Sequence, residues 1–523
     1  MKIGCVYTVE AYNSIEQPLG PATNIPYGIS LIATVLNDAG HDVELFVITP
    51  DTPLDEYIGK YIEDERPSLF CLTAVSTQYE MTKKVSRYIT QTDDTIFCIL
   101  GGHHSSLNSE KVIREGVFDA ICVGEGEKAI VSLADELNKD VEFNEISRIP
   151  PSYEIPNLLF RDRATGEIKE NETRSFNQDL DSLPFIDRSL WDRWIQNPSD
   201  YPALLLGRGC PFKCTYCSNH AMAKLATGTY VRFRSPENII GEIEYIRSTH
   251  PDTERMYLEV ETFGANRKAS YAIFDALGEY NNAVEKPISF GINLALTSNY
   301  MVHHERRQEL FEKVKVANIT SINIGLESGS GRMRNLLKRP AYTNDELIDF
   351  CQDAKSHNIK VLFYILIGLP NETIEDYMET VRVARAAQPY NCYVSLFFPY
   401  LGTDLADTAI HMGLLEPDHM SLTSERARSL LDLPGFSKRR QRFEYMIFMW
   451  RVYKGHWPMD KIIANVTIAF FRAHPKIYSV YLFLSTNVQF IRTFTNRYNA
   501  FDRKVKAKKL PRSISTRADF SKD

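Results

Sequence analysis

Three cysteines stand close together in the run Gly207-Arg208-Gly209-Cys210-Pro211-Phe212-Lys213-Cys214-Thr215-Tyr216-Cys217-Ser218-Asn219-His220. The spacing is C-x3-C-x2-C. Three thiolates can hold an iron–sulfur cluster at three of its irons and leave the fourth iron open for chemistry, whereas an electron-transfer cluster is normally closed by four cysteines. Two other uses of the thiols stay open on spacing alone. A zinc ion could take His220 as a fourth ligand, although structural zinc more often draws paired C-x2-C units from two hairpins. A disulfide framework fits less well, because nine cysteines in 523 residues are few and odd in number.

Other groups able to hold a polar ligand recur at regular intervals. Glu261-Thr262-Phe263, Glu327-Ser328-Gly329-Ser330 and Gly368-Leu369-Pro370-Asn371-Glu372-Thr373 offer carboxylates and hydroxyls, with glycine where a flat ring can approach backbone. Nearer the N-terminus come Ser76-Thr77, Gly101-Gly102-His103-His104 and Gly124-Glu125-Gly126-Glu127. Each is weak alone. What matters is whether the chain brings them to common edges.

The apolar pattern says that it does. In the first 140 residues, strand-like runs at 2–7, 43–48, 69–74, 96–100 and 120–123 alternate with helical patterns at 27–37, 79–90 and 128–137. Such alternation predicts a parallel sheet with helices on both faces, and open α/β sheets bind ligands outside the carboxyl ends of their strands. Prolines and Gly166 then interrupt the rhythm, so residues 141–200 read as a linker with one small hairpin. A second alternating block carries strands at 203–206, 256–260, 288–294, 321–326, 361–367 and 393–398. Ser235-Pro236-Glu237 is a helix start: a capping hydroxyl, proline in the first turn, then an acid near the positive end. Six β/α units predict a partial barrel with its site at the C-terminal strand ends. The expected architecture is α/β: a doubly wound Rossmann-like sheet (1–140), a linker (141–200), a partial (β/α)6 TIM-type barrel (201–410), and a helical C-terminal region with a basic tail (411–523).

Composition bounds the partners. The chain is 44% hydrophobic and 24% charged with net charge −7, which speaks against nucleic acid as its main partner. The N-terminus reads as a strand rather than a leader, and free thiols suit a reducing cytoplasm. The last stretch is different: residues 491–523 hold ten Lys or Arg against three Asp or Glu. A solvated tail is the plain reading; an apolar helix at 462–491 followed by this basic run would also suit peripheral contact with an anionic membrane.

Taken together, Cys210-x3-Cys214-x2-Cys217, Arg234-Ser235-Pro236-Glu237, Ile324-Gly-Leu-Glu-Ser-Gly-Ser330, Gly368-Leu-Pro-x-Glu-Thr373 and Pro399-Tyr-Leu-Gly-Thr403, with Gly101-Gly102-His103 and Gly124-Glu-Gly-Glu127 before them, resemble a radical S-adenosylmethionine enzyme with an N-terminal cobalamin-binding domain. The likeness spans residues 1–405. It implies a [4Fe-4S] cluster on Cys210, Cys214 and Cys217, whose open iron takes the amine and carboxylate of S-adenosylmethionine. Tyr216, Glu261, Thr262, Glu327, Ser328 and Gly368 would hold the rest of that molecule. Ser76, Thr77, Gly101, Gly102, His103, Gly124, Glu125, Gly126 and Glu127 would hold cobalamin. Val260-Glu261 stands where related enzymes often have two aspartates. The cobalt-ligating D-x-H-x-x-G run is missing: Asp38-Ala39-Gly40-His41 has the wrong spacing and reads as a helix end followed by a strand. Cys5, Cys71, Cys98 and Cys122 fall on strands and read as small buried hydrophobes.

The resemblance implies that reductive cleavage of S-adenosylmethionine yields a radical that abstracts hydrogen from an unreactive carbon. C-methylation is the leading expectation. A cobalamin-assisted cyclase or oxidative rearrangement enzyme and a non-catalytic cobalamin or redox sensor are the alternatives. An external donor such as flavodoxin or ferredoxin would supply the electron. The aromatic C-terminal region is expected to cap the barrel mouth, which points to a lipid-like, terpenoid or tetrapyrrole substrate.

Overall fold

The computed structural model of the chain describes residues 1–10, 12, 14–142, 154–301, 303–339, 342–417 and 428–474. Five parallel strands open the fold: β1 (Lys2–Thr8), β2 (Asp42–Ile48), β3 (Leu69–Thr73), β4 (Phe97–Gly101) and β5 (Ala120–Cys122). Their residues alternate between two cores. Ile3, Cys5, Leu45, Cys71 and Ile99 join one, and Val6, Phe46, Phe70, Cys98 and Leu100 join the other. A sheet covered on both faces needs such near-continuous apolar runs. The four strand cysteines are buried and free, and burial holds the Cys71, Cys98 and Cys122 thiols protonated, well above their ordinary range. The helix Tyr27–Asp38 ends through Gly40 at φ +87°, and β2 begins at Asp42, as the sequence led us to expect.

The segment read as a linker does more than connect. Its hairpin, β6 (Leu158–Arg161) and β7 (Ile168–Glu170), extends the sheet antiparallel to β5, giving the order β2-β1-β3-β4-β5-β6-β7. Downstream, Trp191 and Trp194 are buried against the sheet, and the Trp194 indole N–H donates to the Leu45 carbonyl at 3.2 Å. These indoles explain the difference: the prolines break the strand–helix rhythm, but large apolar rings still have to be buried.

The second block forms six parallel strands in sequence order: β8 (Ala203–Leu205), β9 (Arg255–Phe263), β10 (Ser289–Leu294), β11 (Ile319–Glu327), β12 (Lys360–Ile367) and β13 (Asn391–Leu396). Helices cover the outer face. The one over Pro236–Thr249 is capped as the sequence indicates, with Ser235 Oγ accepting from the Asn238 N–H at 3.1 Å. The edge strand β8 is blocked from the first domain, since Tyr27 Oη accepts from the Leu205 N–H at 2.7 Å and donates to the Ala203 carbonyl at 2.9 Å.

In the C-terminal region, the helix Lys438–Tyr453 lies along the last strand and the helix Ile374–Ala387. Tyr377 Oη donates to the Glu444 carbonyl, and Tyr453 Oη donates to the Pro389 carbonyl. An open partial barrel leaves the flank of its final strand exposed, and the aromatic face buries itself there. A second helix, Met459–Ala473, follows, while the rest of the apolar stretch and the basic tail lie outside the described residues. Among the described residues no helix is long and apolar enough to cross a membrane.

Candidate active site

The cysteine loop begins immediately after β8 and is fixed by close backbone packing. Gly207-Arg208 pairs antiparallel with Arg232-Phe233. A Cβ on Gly207 would collide with the Arg232 carbonyl, and one on Gly209, at φ +86°, with that of Tyr230. The loop is then tied to the barrel mouth: Thr215 N–H donates to the Leu337 carbonyl at 3.2 Å, and Leu405 N–H donates to the Thr215 carbonyl at 2.8 Å.

None of the three cysteines is in a disulfide; Cys214 is buried, and Cys210 and Cys217 are half-buried. Cys217 Sγ accepts from the Asn219 backbone N–H at 3.5 Å and from its side-chain amide at 3.7 Å. Cys214 Sγ accepts from Arg339 Nη1 at 3.6 Å. Donors aimed at sulfur suit thiolates, and so the residues present fit a cluster. Among the described residues no three His, Cys, Asp or Glu side chains converge on a single point. One zinc ion would need that convergence, whereas each thiolate of a cluster meets a different iron. His220, the candidate zinc ligand, pairs through Nε2 with Asp404 at 3.1 Å.

The side chains proposed for S-adenosylmethionine divide. Tyr216 and Glu327 stand together, the phenol donating to Glu327 Oε1 at 2.8 Å. Burial and that carboxylate push the Tyr216 hydroxyl well above the usual phenol range. Glu327 adopts φ +57°, an unusual backbone state for a residue that is not glycine. Ser328 does not join them: it is fully buried, and its hydroxyl lies 3.2 Å from that of Thr380. The next residue after a strand points to the opposite face, which here is the helix layer. At Gly368, with φ +82°, an added Cβ would meet Gln441 of the C-terminal region, so the position requires glycine. Its N–H donates to Glu372 Oε2 at 2.6 Å, as does that of Leu369 at 3.2 Å. Glu372 is 1% exposed with Oε1 unpartnered, and burial pushes its carboxyl up to about 8. Glu261 and Thr262 lie on β9, but their side chains fall outside the described residues.

The cobalamin candidates face a cavity of about 550 Å³, within the roughly 300–1,000 Å³ usual for cofactor sites. It opens at the carboxyl edge of the first sheet, where the order reverses around β1 and β3. Gly101, Gly102, His103, Gly124, Glu125, Gly126 and Glu127 line it, and so do Arg208, Gly209 and Asn219 of the cysteine loop. Gly102, at φ +99°, leaves no room for a Cβ, which would lie 2.7 Å from the Ala74 carbonyl oxygen. A glycine-walled cavity of this kind lets a flat macrocycle approach backbone, and so these residues fit cobalamin. Ser76 and Thr77 are displaced from this role. Ser76 Oγ lies 3.2 Å from His104 Nδ1 and Thr77 is buried, while Val75 and Gln78 reach the cavity instead.

Glu125 and Glu127 do something the sequence did not disclose. Arg208 bridges them, with Nη1 2.8 Å from Glu125 Oε1 and Nη2 2.5 Å from Glu127 Oε1. Arg232 adds a contact to Glu125 Oε1 at 2.9 Å. Burial works against the Glu125 charge, but Arg232 and Arg208 outweigh it and hold the carboxyl below its ordinary range. The two glutamates therefore latch the first domain to the cysteine loop, whatever else they touch. Arg208 lay unread inside the cysteine run. Arg339 and Gln78 carried no motif signal at all.

Comparison with known proteins follows the same division. Residues 21–134 match the B12 binding domain, and residues 204–384 match the Radical SAM superfamily. The chain is 24% identical over 406 residues to an uncharacterized methyltransferase of Pyrococcus horikoshii, covering 77% of this chain and 82% of that one. It is 24% identical over 387 residues to the anaerobic magnesium-protoporphyrin IX monomethyl ester cyclase of Cereibacter sphaeroides, covering 73% and 59%. Its fold resembles that of the cobalamin-dependent S-adenosylmethionine radical enzyme OxsB, with a TM-score of 0.64 at 15% identity over 90% of this chain and 71% of that one. The cofactors expected from the sequence, a [4Fe-4S] cluster, S-adenosylmethionine and cobalamin, are those of the two families. The chain is an enzyme of the radical SAM superfamily with an N-terminal B12-binding domain.

Proposed function

We propose that this enzyme methylates an unactivated carbon of a small molecule. One observation carries the reading: the loop that bears the cysteines and the glycine loops of the first domain line a single cavity and are latched together by Arg208. A methyl carried by cobalamin would thus lie close to the place where a substrate radical forms. When bound, the cluster and S-adenosylmethionine supply the hydrogen-abstracting radical, and the cobalamin supplies the methyl group. The chain's own residues do the positioning. Cys210, Cys214 and Cys217 would hold the cluster, Tyr216 and Glu327 would bracket the S-adenosylmethionine, and Gly101, Gly102, Gly124 and Gly126 would admit the macrocycle to the sheet edge. Shielding the radical from water falls to the buried interface between the two domains.

The cyclase relative keeps a second reading in play, because cyclisation would use the same cofactor positions. Both readings take a small-molecule substrate and an external one-electron donor in a reducing cytoplasm. Contact with a membrane would rest on the tail beyond residue 474. The deciding experiment is anaerobic reconstitution with S-adenosylmethionine, cobalamin and reductant. Methylation requires S-adenosylhomocysteine beside 5′-deoxyadenosine. 5′-Deoxyadenosine alone favours cyclisation, and cobalamin binding with neither product would mean a sensor. Turnover that survives Cys214→Ala would overturn the enzyme's assigned chemistry.

A further inference from the structure

Arg339 brings a guanidinium to a cysteine of the C-x3-C-x2-C loop. Its Nη1 donates to Cys214 Sγ at 3.6 Å and lies 3.4 Å from Tyr216 Oη, while Nη2 donates to the Gly325 carbonyl. Gly325 makes this possible, since a Cβ there would lie 2.8 Å from Arg339 Nη2 and against the Glu327 carboxylate. The guanidinium is thus wedged between the cysteine loop and the end of β11, and its Nε is buried without a partner. At Cys217, two neutral amides of Asn219 donate to the sulfur.

We infer that Arg339 is a positioning residue that sets the reduction potential of the cluster from the Cys214 side. The inference rests on the assignment of the cluster to Cys210, Cys214 and Cys217. Reduction adds one negative charge to the cluster. A cation that donates to a ligating sulfur stabilises the reduced state more than the oxidised one, and so raises the potential. Glu327, close to the same guanidinium, works in the opposite direction. The pair would place the potential where an ordinary donor can reach it, and Tyr216, bonded to both, would relay any change at the S-adenosylmethionine site to the sulfur.

The test uses the full-length protein, anaerobically reconstituted with iron and sulfide and without S-adenosylmethionine. The readout is the reduced cluster, counted by electron paramagnetic resonance during a redox titration. Arg339→Met, which keeps the volume and removes the charge, should lower the ratio of reduced to oxidised cluster about tenfold at a fixed poise, about 59 mV for a one-electron couple. Arg339→Lys should recover most of that loss, and Glu327→Gln should move the ratio the other way. Iron and sulfide contents equal to the parent's, with a ratio within twofold in Arg339→Met, would overturn the inference. Should Arg339→Met fail to fold, Glu327→Gln decides: an unchanged or lowered ratio overturns it equally. A parent protein that assembles no cluster would instead overturn the assignment on which the inference stands.

Discussion

Replacing Glu372 by glutamine should stabilise the protein, and by an amount that grows with pH. Glu372 is buried, accepts from two backbone N–H groups, and has its carboxyl pushed up from 4.5 to about 8. A carboxyl that holds its proton more tightly in the folded state contributes stability that is fully present below the unfolded pKa. That contribution is lost as pH rises toward the folded pKa, at about 1.4 kcal/mol per pH unit. The window here is pH 4.5 to 8. Across it the parent loses about 5 kcal/mol, of which about 3 kcal/mol has gone by pH 7. Glutamine has the same shape, still accepts from Gly368 and Leu369, and has no proton to lose. The difference between Glu372→Gln and parent should therefore be near zero at pH 4.5, rise steadily, and level off above pH 8. The assay is denaturant unfolding from pH 5 to 9 followed by tryptophan fluorescence; Trp450 and Trp457 pack against the barrel core. A difference that stays flat from pH 5 to 8, or a parent more stable than the variant at pH 8, would refute the argument.

Other outcomes follow from the same geometry. Arg208→Met should cost about 3 kcal/mol by leaving Glu125 and Glu127 short of a partner in a largely desolvated interface; the check is a double-mutant cycle with Glu127→Gln, which should show a coupling of about 0.5–3 kcal/mol. Gly102→Ala should abolish cobalamin retention, read from visible absorbance after gel filtration, because a side chain at φ +99° is strained by about 1–3 kcal/mol and would meet the Ala74 carbonyl. Cys98→Ala should leave the iron content of the reconstituted protein unchanged, since Cys98 is a buried core residue; loss of iron would mean that the first domain holds a second cluster.

How much of the site was legible can be argued residue by residue. The cysteine spacing, the strand ends at Glu327 and Gly368, and the glycine loops at 101–102 and 124–126 are local signals. They report what a strand of period two and a turn of positive φ require of single residues, and so they survive in the linear chain. Ser328 steps one residue past the end of β11 and so turns to the other face, while Ser76, three residues beyond β3, meets His104; no local pattern states either outcome.

Sequence alone determined the two α/β blocks, their order, and the chemistry available at their edges, because hydrophobic periodicity and ligand type are written residue by residue. Tertiary structure alone decided who meets whom. Arg339 reaches Cys214 across 125 positions, and Arg208 reaches Glu125 across 83. An arginine in sequence is only a charge on a long stem. Its partner is chosen when two loops from different strands close on one cavity, and that choice is made by packing.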